Sequence, residues 1–158
     1  KSHRGAIEYI CVERICMGLH GGMWRVHSSA VDDTEIILES LVWLCGERAQ
    51  VRMFNDKSSI GAKMCIFECK MKSKQAKESL RRIEPESIKK IMGDDLESRI
   101  DGGKNLHIRL DLAKLVSGEG KLCEYPHPSV VKGKFKLEVY PGQEETEVAK
   151  ELLSSVLN

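Results

Sequence analysis

Apolar and polar positions alternate most cleanly near residue 110, where Leu106, Ile108, Leu110 and Leu112 interleave with His107, Arg109 and Asp111. A period of two marks a strand with one face buried and one face open. The same period recurs in Gly133–Tyr140, with Phe135, Leu137 and Val139 inward and Lys134, Lys136 and Glu138 outward. It also appears in Met23–Ser28, with Trp24 and Val26 on one face and Arg25 and His27 on the other, and in 49–54, where Val51 and Met53 share a face. A strand over 61–70 follows the polar turn 55–59, and the two strands read as a hairpin. Residues 6–17, rich in β-branched and aromatic residues, favour a strand, with a helix as the alternative, and His20-Gly21-Gly22 then reads as a break in the chain.

Helical spacing appears elsewhere. Ile36, Ile37, Leu41 and Leu44 line one side of a segment reaching Cys45, and Gly46 supplies a stop. Asp32-Asp33-Thr34-Glu35 reads as its start, an Asp N-cap with Glu three residues on. Helices are expected over 73–83, from Pro85 to Met92, over 94–99, and over 144–156, where Val148, Leu152 and Leu153 form the core side. A short strand at 121–124 precedes a loop, Glu124–Lys132, that holds two prolines.

Hairpin connections outnumber βαβ units in this order. The expected fold class is α+β: two layers, a mainly antiparallel sheet with helices packed on one face. The 158 residues suit a single domain, 1–158, with 1–22 as an N-terminal extension or extra strand.

Composition adds exclusions. The chain is 41% apolar and 31% charged, as in an ordinary globular protein. No stretch approaches the roughly 20 apolar residues of a membrane helix, and no signal-peptide core follows the N-terminus, so no membrane partner and a cytoplasmic location are expected. The cysteines, Cys11, Cys16, Cys45, Cys65, Cys69 and Cys123, include no Cys-x-x-Cys pair. Free buried thiols are expected rather than disulfides or a zinc site. No phosphate loop, dinucleotide fingerprint, zinc-protease helix or nucleophile elbow occurs. The expectation is a non-catalytic protein without catalytic residues, metal or cofactor. Acidic pairs at helix starts, Asp32-Asp33 and Asp94-Asp95, read as caps.

The formal net charge is only +1, so any nucleic-acid site must come from charge distribution. Eight basic residues crowd 70–90: Lys70, Lys72, Lys74, Lys77, Arg81, Arg82, Lys89 and Lys90. Residues 143–151 are acidic. Strand parity gives a second basic set on the open face: Arg25, His27, Arg52, His107, Arg109, Lys134 and Lys136. Aromatics make up 5%, which argues against stacking of single-stranded bases across the sheet and favours backbone contacts to structured RNA. The plain alternative is a solvated polar face such as any half-buried sheet presents.

The stretch from Leu96 to Asp111, Leu-Glu-Ser-Arg-Ile-Asp-Gly-Gly-Lys-Asn-Leu-His-Ile-Arg-Leu-Asp, is similar to a segment of an archaeal family of exosome-associated RNA-binding proteins. The turn Ser117–Leu122, the strand Gly133–Pro141 and the acidic helix start after Val26-His27-Ser28 match the same order, so the resemblance covers about 23–156. The loop Asn55–Gly61 departs from it, because the family carries a Gly-His-x-Gly-Asn-type sequence there. The resemblance implies a ribosomal L5-like fold, RNA binding and association with RNA degradation machinery. The candidate RNA-binding residues are Arg25, His27, Arg109, Lys134 and Lys136 on the sheet, Lys57 and Lys63 near the loop, and Lys72, Lys74 and Arg81 on a competing basic helix. The expected partners are structured RNA and the exosome or another protein complex. The alternative is a protein-interaction or homodimer module that uses helix 144–156 and the N-terminal segment.

Overall fold

A computed structural model of the chain describes residues 18–29, 33–46, 51–57, 61, 63–93, 95–124 and 129–158. The strand expected at 6–17 lies outside them. Five strands form one antiparallel sheet: β1 (Leu19–Ser29), β2 (Val51–Lys57), β3 (Lys63–Lys72), β4 (Asn105–Asp111) and β5 (Val130–Leu137). Their spatial order is β2-β3-β1-β5-β4, so β1 is central and pairs with β3 and β5. The helices are α1 (Thr34–Cys45), α2 (Ser73–Leu80), α3 (Pro85–Ile91), α4 (Leu112–Val116) and α5 (Glu145–Leu157), with a 3-10 turn at Glu97–Arg99. The expected α+β class and antiparallel sheet are what the chain adopts.

Alternation decides the two faces. Trp24 and Val26 of β1, Phe67 and Cys69 of β3, Leu106, Ile108 and Leu110 of β4, and Val131 and Phe135 of β5 are all inaccessible to solvent. They form one core with Leu41 and Leu44 of α1, Ala76 and Leu80 of α2, Ile88 and Ile91 of α3, and Leu152 and Leu153 of α5. Burying each such side chain stabilises the fold by about 1.5–3 kcal/mol. Trp24 meets Phe135 edge to face at 5.1 Å between ring centroids, and its indole N–H donates to Ser79 Oγ at 2.5 Å. Two strand glycines make room for these rings. A Cβ on Gly133 would lie 2.5 Å from Trp24 Cζ3, and one on Gly22 would lie 2.4 Å from Phe135 Cδ1.

That close approach corrects one expectation: His20-Gly21-Gly22 does not break the chain but runs within β1, with a register shift between Leu19 and Gly21. Similarly, β5 starts at Val130, inside the segment expected as loop. Asn55-Asp56-Lys57 belongs to β2 rather than to a turn. Asp33, not Asp32, caps α1, accepting from the amides of Glu35 and Ile36. Leu112 leaves the strand pattern to open α4, which Asp111 caps through the Lys114 amide. The expected strand at 121–124 reduces to a bridge between Leu122 and Leu110, with the Cys123 amide donating to the Arg109 carbonyl at 2.9 Å along the outer edge of β4.

Candidate nucleic-acid interface

Every helix packs on the Trp24 face, so the opposite face of the sheet has no helix over it among the described residues. Register places its residues in rows across the strands. One row runs Arg52–Glu68–Arg25–Lys132–Arg109, from β2 to β4. The next runs Lys70–Met23–Lys134–His107, and the third runs Lys72–Gly21–Lys136–Asn105. Neighbouring strands lie about 4.8 Å apart and same-face residues about 6.8 Å apart along a strand. Eight Arg and Lys side chains therefore share a surface that spans the full width of the sheet.

Carboxylates offset few of them. Glu68, buried within the first row, accepts from Arg25 Nε at 3.0 Å and from Arg25 Nη2 on the same oxygen. Lys70 Nζ lies 3.8 Å from its other oxygen. The Arg25 hydrogen bonds, with Lys70 and Arg52 nearby, hold the Glu68 carboxyl below its usual range despite its burial. Asp111 is occupied in capping α4. Lys132, Lys134 and Arg109 have no carboxylate partner among the described residues, and all three are exposed.

A turn closes one end of this face. Asp101 accepts from His107 Nε2 at 2.7 Å, and from the Gly103 and Asn105 amides. These contacts, led by His107, hold its carboxyl well below the ordinary carboxylate range. Lys136 Nζ donates to the Gly103 carbonyl, so the turn is tied to β5. Lys104 takes a positive φ of 64° there, a conformation uncommon for a residue with a Cβ.

The candidate residues named from the sequence now separate. Arg25, Arg109, Lys134, Lys136 and Lys72 share the open face, and His27 lies one row beyond Arg25, opposite Ile66. The basic run at 70–90 is divided between layers. Lys70 and Lys72 end β3 on the open face, whereas Lys74 lies in α2, which packs beneath the sheet, and Arg81 caps its C-terminus. Lys77 is buried on that helix. Lys74 instead lines a groove with Trp43, Glu78 and Arg82 between α1 and α2. Lys57 and Lys63 pair in register at the end of the β2–β3 hairpin. The sequence pattern does not mark Lys132, because its segment follows Pro126 and Pro128 and reads as a loop. Strand parity extended two residues upstream from Lys134 finds it.

Among the described residues, no group of three or more His, Cys, Asp or Glu side chains could hold a metal. Cys45, Cys65 and Cys69 are free and buried. Contact with Cys69 and burial push the Cys45 thiol upward, which suits a core residue rather than a nucleophile. A groove of ≈ 950 Å³ lies between α5 and the end of β5, where Tyr140, Val148 and Leu152 line it. A smaller cleft holds the exposed Lys90–Glu124 ion pair at 2.6 Å, which raises the lysine and lowers the carboxyl. No described helix is long and apolar enough to cross a membrane.

A family model described as RNA binding matches residues 23–137. Solved structures share the fold. A DUF54 protein from Methanothermobacter thermautotrophicus is 24% identical, with a TM-score of 0.69 over 89% of this chain and 98% of its own. A DUF54 protein from Archaeoglobus fulgidus is 22% identical, with a TM-score of 0.71 over 87% and 99%. One from Sulfolobus solfataricus is 19% identical, with a TM-score of 0.64 over 85% and 98%. No curated protein matches the chain.

Proposed function

The chain belongs to the family whose model is described as RNA binding, and from that premise we propose that it binds structured RNA, without catalysis, through the open face of its sheet. One observation carries this reading: the row Arg52–Glu68–Arg25–Lys132–Arg109, in which four cations meet one carboxylate and Lys132 and Arg109 lack a carboxylate partner among the described residues. Each phosphate that such a cation meets releases condensed counterions, which favours binding at low salt. The flanking rows add Lys70, Lys134, Lys72 and Lys136, so the face offers a two-dimensional lattice of positive charge to a backbone of fixed geometry.

Glu68 has a role in this reading. Its two bonds from Arg25 offset part of that cation's charge, so the row attracts phosphate less strongly than its four cations would without it. The helix-layer residues Lys74 and Arg81 take no part. The acidic helix α5 also lies in that layer, so a protein contact there would leave the sheet face free. The proposal extends to one domain of ribosomal L5-like character, acting in the cytoplasm beside the exosome or similar RNA-processing machinery.

The test is fluorescence anisotropy with a labelled RNA hairpin over a range of salt. The expected result is binding whose logarithm falls linearly with the logarithm of salt, at a slope of about −0.9 per phosphate engaged. Absence of binding at low salt sinks the reading.

A further inference from the structure

The open face is cationic at one end and apolar at the other. Beyond the Arg52–Glu68–Arg25 row, register places Phe54 of β2 opposite Ile66 of β3, which stands opposite His27 of β1. The other strand aromatics among the described residues, Trp24, Phe67 and Phe135, are fully buried under the helices. Phe54 alone among them faces outward, 37% exposed, on an edge strand. Arg52 is on the same strand and the same face, about 6.8 Å away, and Arg25 lies two strands across in the Arg52 row, about 12 Å away.

We propose that Phe54 is a stacking platform for one unpaired nucleotide, so that the RNA taken by this face is a duplex or hairpin bearing a single-stranded nucleotide beside it. This rests on the reading that the open face binds RNA. An aromatic ring next to backbone-holding cations is the arrangement that captures an unstacked base, because every base has a π-face and the cations fix the phosphates on either side of it. A face with one exposed ring holds one base. The Lys70, Lys132, Lys134 and Lys136 side of the sheet has no ring among the described residues and meets the backbone of the paired part. Ile66 stands in register with Phe54 and is 5% exposed, so a substitution at 54 must keep an apolar side chain there if stacking is to be read separately.

The experiment compares two RNA hairpins of the same stem, one blunt and one carrying a single unpaired 2-aminopurine, by anisotropy and by 2-aminopurine fluorescence. The proteins are the unaltered chain, Phe54→Leu and Phe54→Trp. The expected preference for the overhang is about 5- to 150-fold, the range that stacking of one base supplies. Phe54→Leu keeps an apolar side chain at that position. It is expected to abolish the preference and the fluorescence quench while leaving blunt-hairpin affinity and salt slope unchanged, and Phe54→Trp is expected to retain both. Equal affinity of the unaltered protein for the two hairpins overturns the stacking site and leaves the cationic face standing. The same holds if Phe54→Leu weakens both hairpins alike. No salt-sensitive binding of either hairpin overturns the RNA reading, and the stacking site with it.

Discussion

Two basic surfaces competed in the sequence, and one pair of variants separates them. Lys132 and Lys134 stand on adjacent outward positions of β5, both exposed and neither with a carboxylate partner among the described residues. Changing both to Gln keeps the strand and its buried alternation through Val131, Gly133 and Phe135, and removes two phosphate-facing charges. With a dependence of about 0.9 decades in affinity per decade of salt for each contact, one contact is worth about fivefold at 0.15 M relative to 1 M salt. The double variant should bind a hairpin about 30-fold more weakly at 0.15 M, equivalent to about 2 kcal/mol, and its salt slope should fall by about 1.8. The control is Lys74→Gln with Arg81→Gln, which removes the same charge from α2 and its C-cap in the other layer. Anisotropy titrations at four salt concentrations give both quantities. If the α2 pair weakens binding and the β5 pair does not, the assignment of the site to the open face is wrong.

Other outcomes follow from single contacts. Glu68→Gln removes the negative charge from the first cationic row, so RNA affinity and salt slope should rise, while denaturant melts should show a loss of about 1–3 kcal/mol from the weakened Arg25 contact. The Glu68 carboxyl is held below its ordinary value of 4.5 in the folded chain. Its contribution is therefore fully present above that value and is lost as pH falls through the lower folded one, and Asp101 acts in the same direction. Thermal melts should accordingly show an acid-side decline that is shallower in Glu68→Gln. Ser79→Ala strips the buried Trp24 indole N–H of its acceptor and should cost about 1–3 kcal/mol by chemical denaturation. Gly133→Ala drives a methyl into the Trp24 ring and should cost about 1–3 kcal/mol, with a changed near-ultraviolet signal from that tryptophan.

Several elements could be read directly from the sequence because local patterning decides them. The period-two stretch of β4 and the helical spacing of α1 and α5 each place apolar side chains on one side, whatever the neighbours are. Strand parity also assigned Arg25, Arg109, Lys134 and Lys136 to the open face, since a strand with one buried side must turn its other residues outward. Glycines and prolines misled the reading where tertiary contacts overruled local preference. Gly21 and Gly22 resemble a break but lie within β1, where the Phe135 ring leaves no space for a Cβ at residue 22. The prolines at 126 and 128 resemble a long loop, yet pairing with β1 and β4 begins at Val130 and brings Lys132 into the central cationic row.

What the sequence determined alone is therefore the class of each strongly periodic element and the direction of its charged side chains. Only the tertiary structure decided which strands are neighbours, because pairing between distant segments leaves no local period. That choice of order, β2-β3-β1-β5-β4, aligns Arg52, Arg25, Lys132 and Arg109 from four separate stretches of chain into one row. It also cuts the 70–90 basic run in two, leaving Lys70 and Lys72 on the open face and carrying Lys74 and Arg81 into the helix layer, because the chain leaves the sheet for α2 at Ser73.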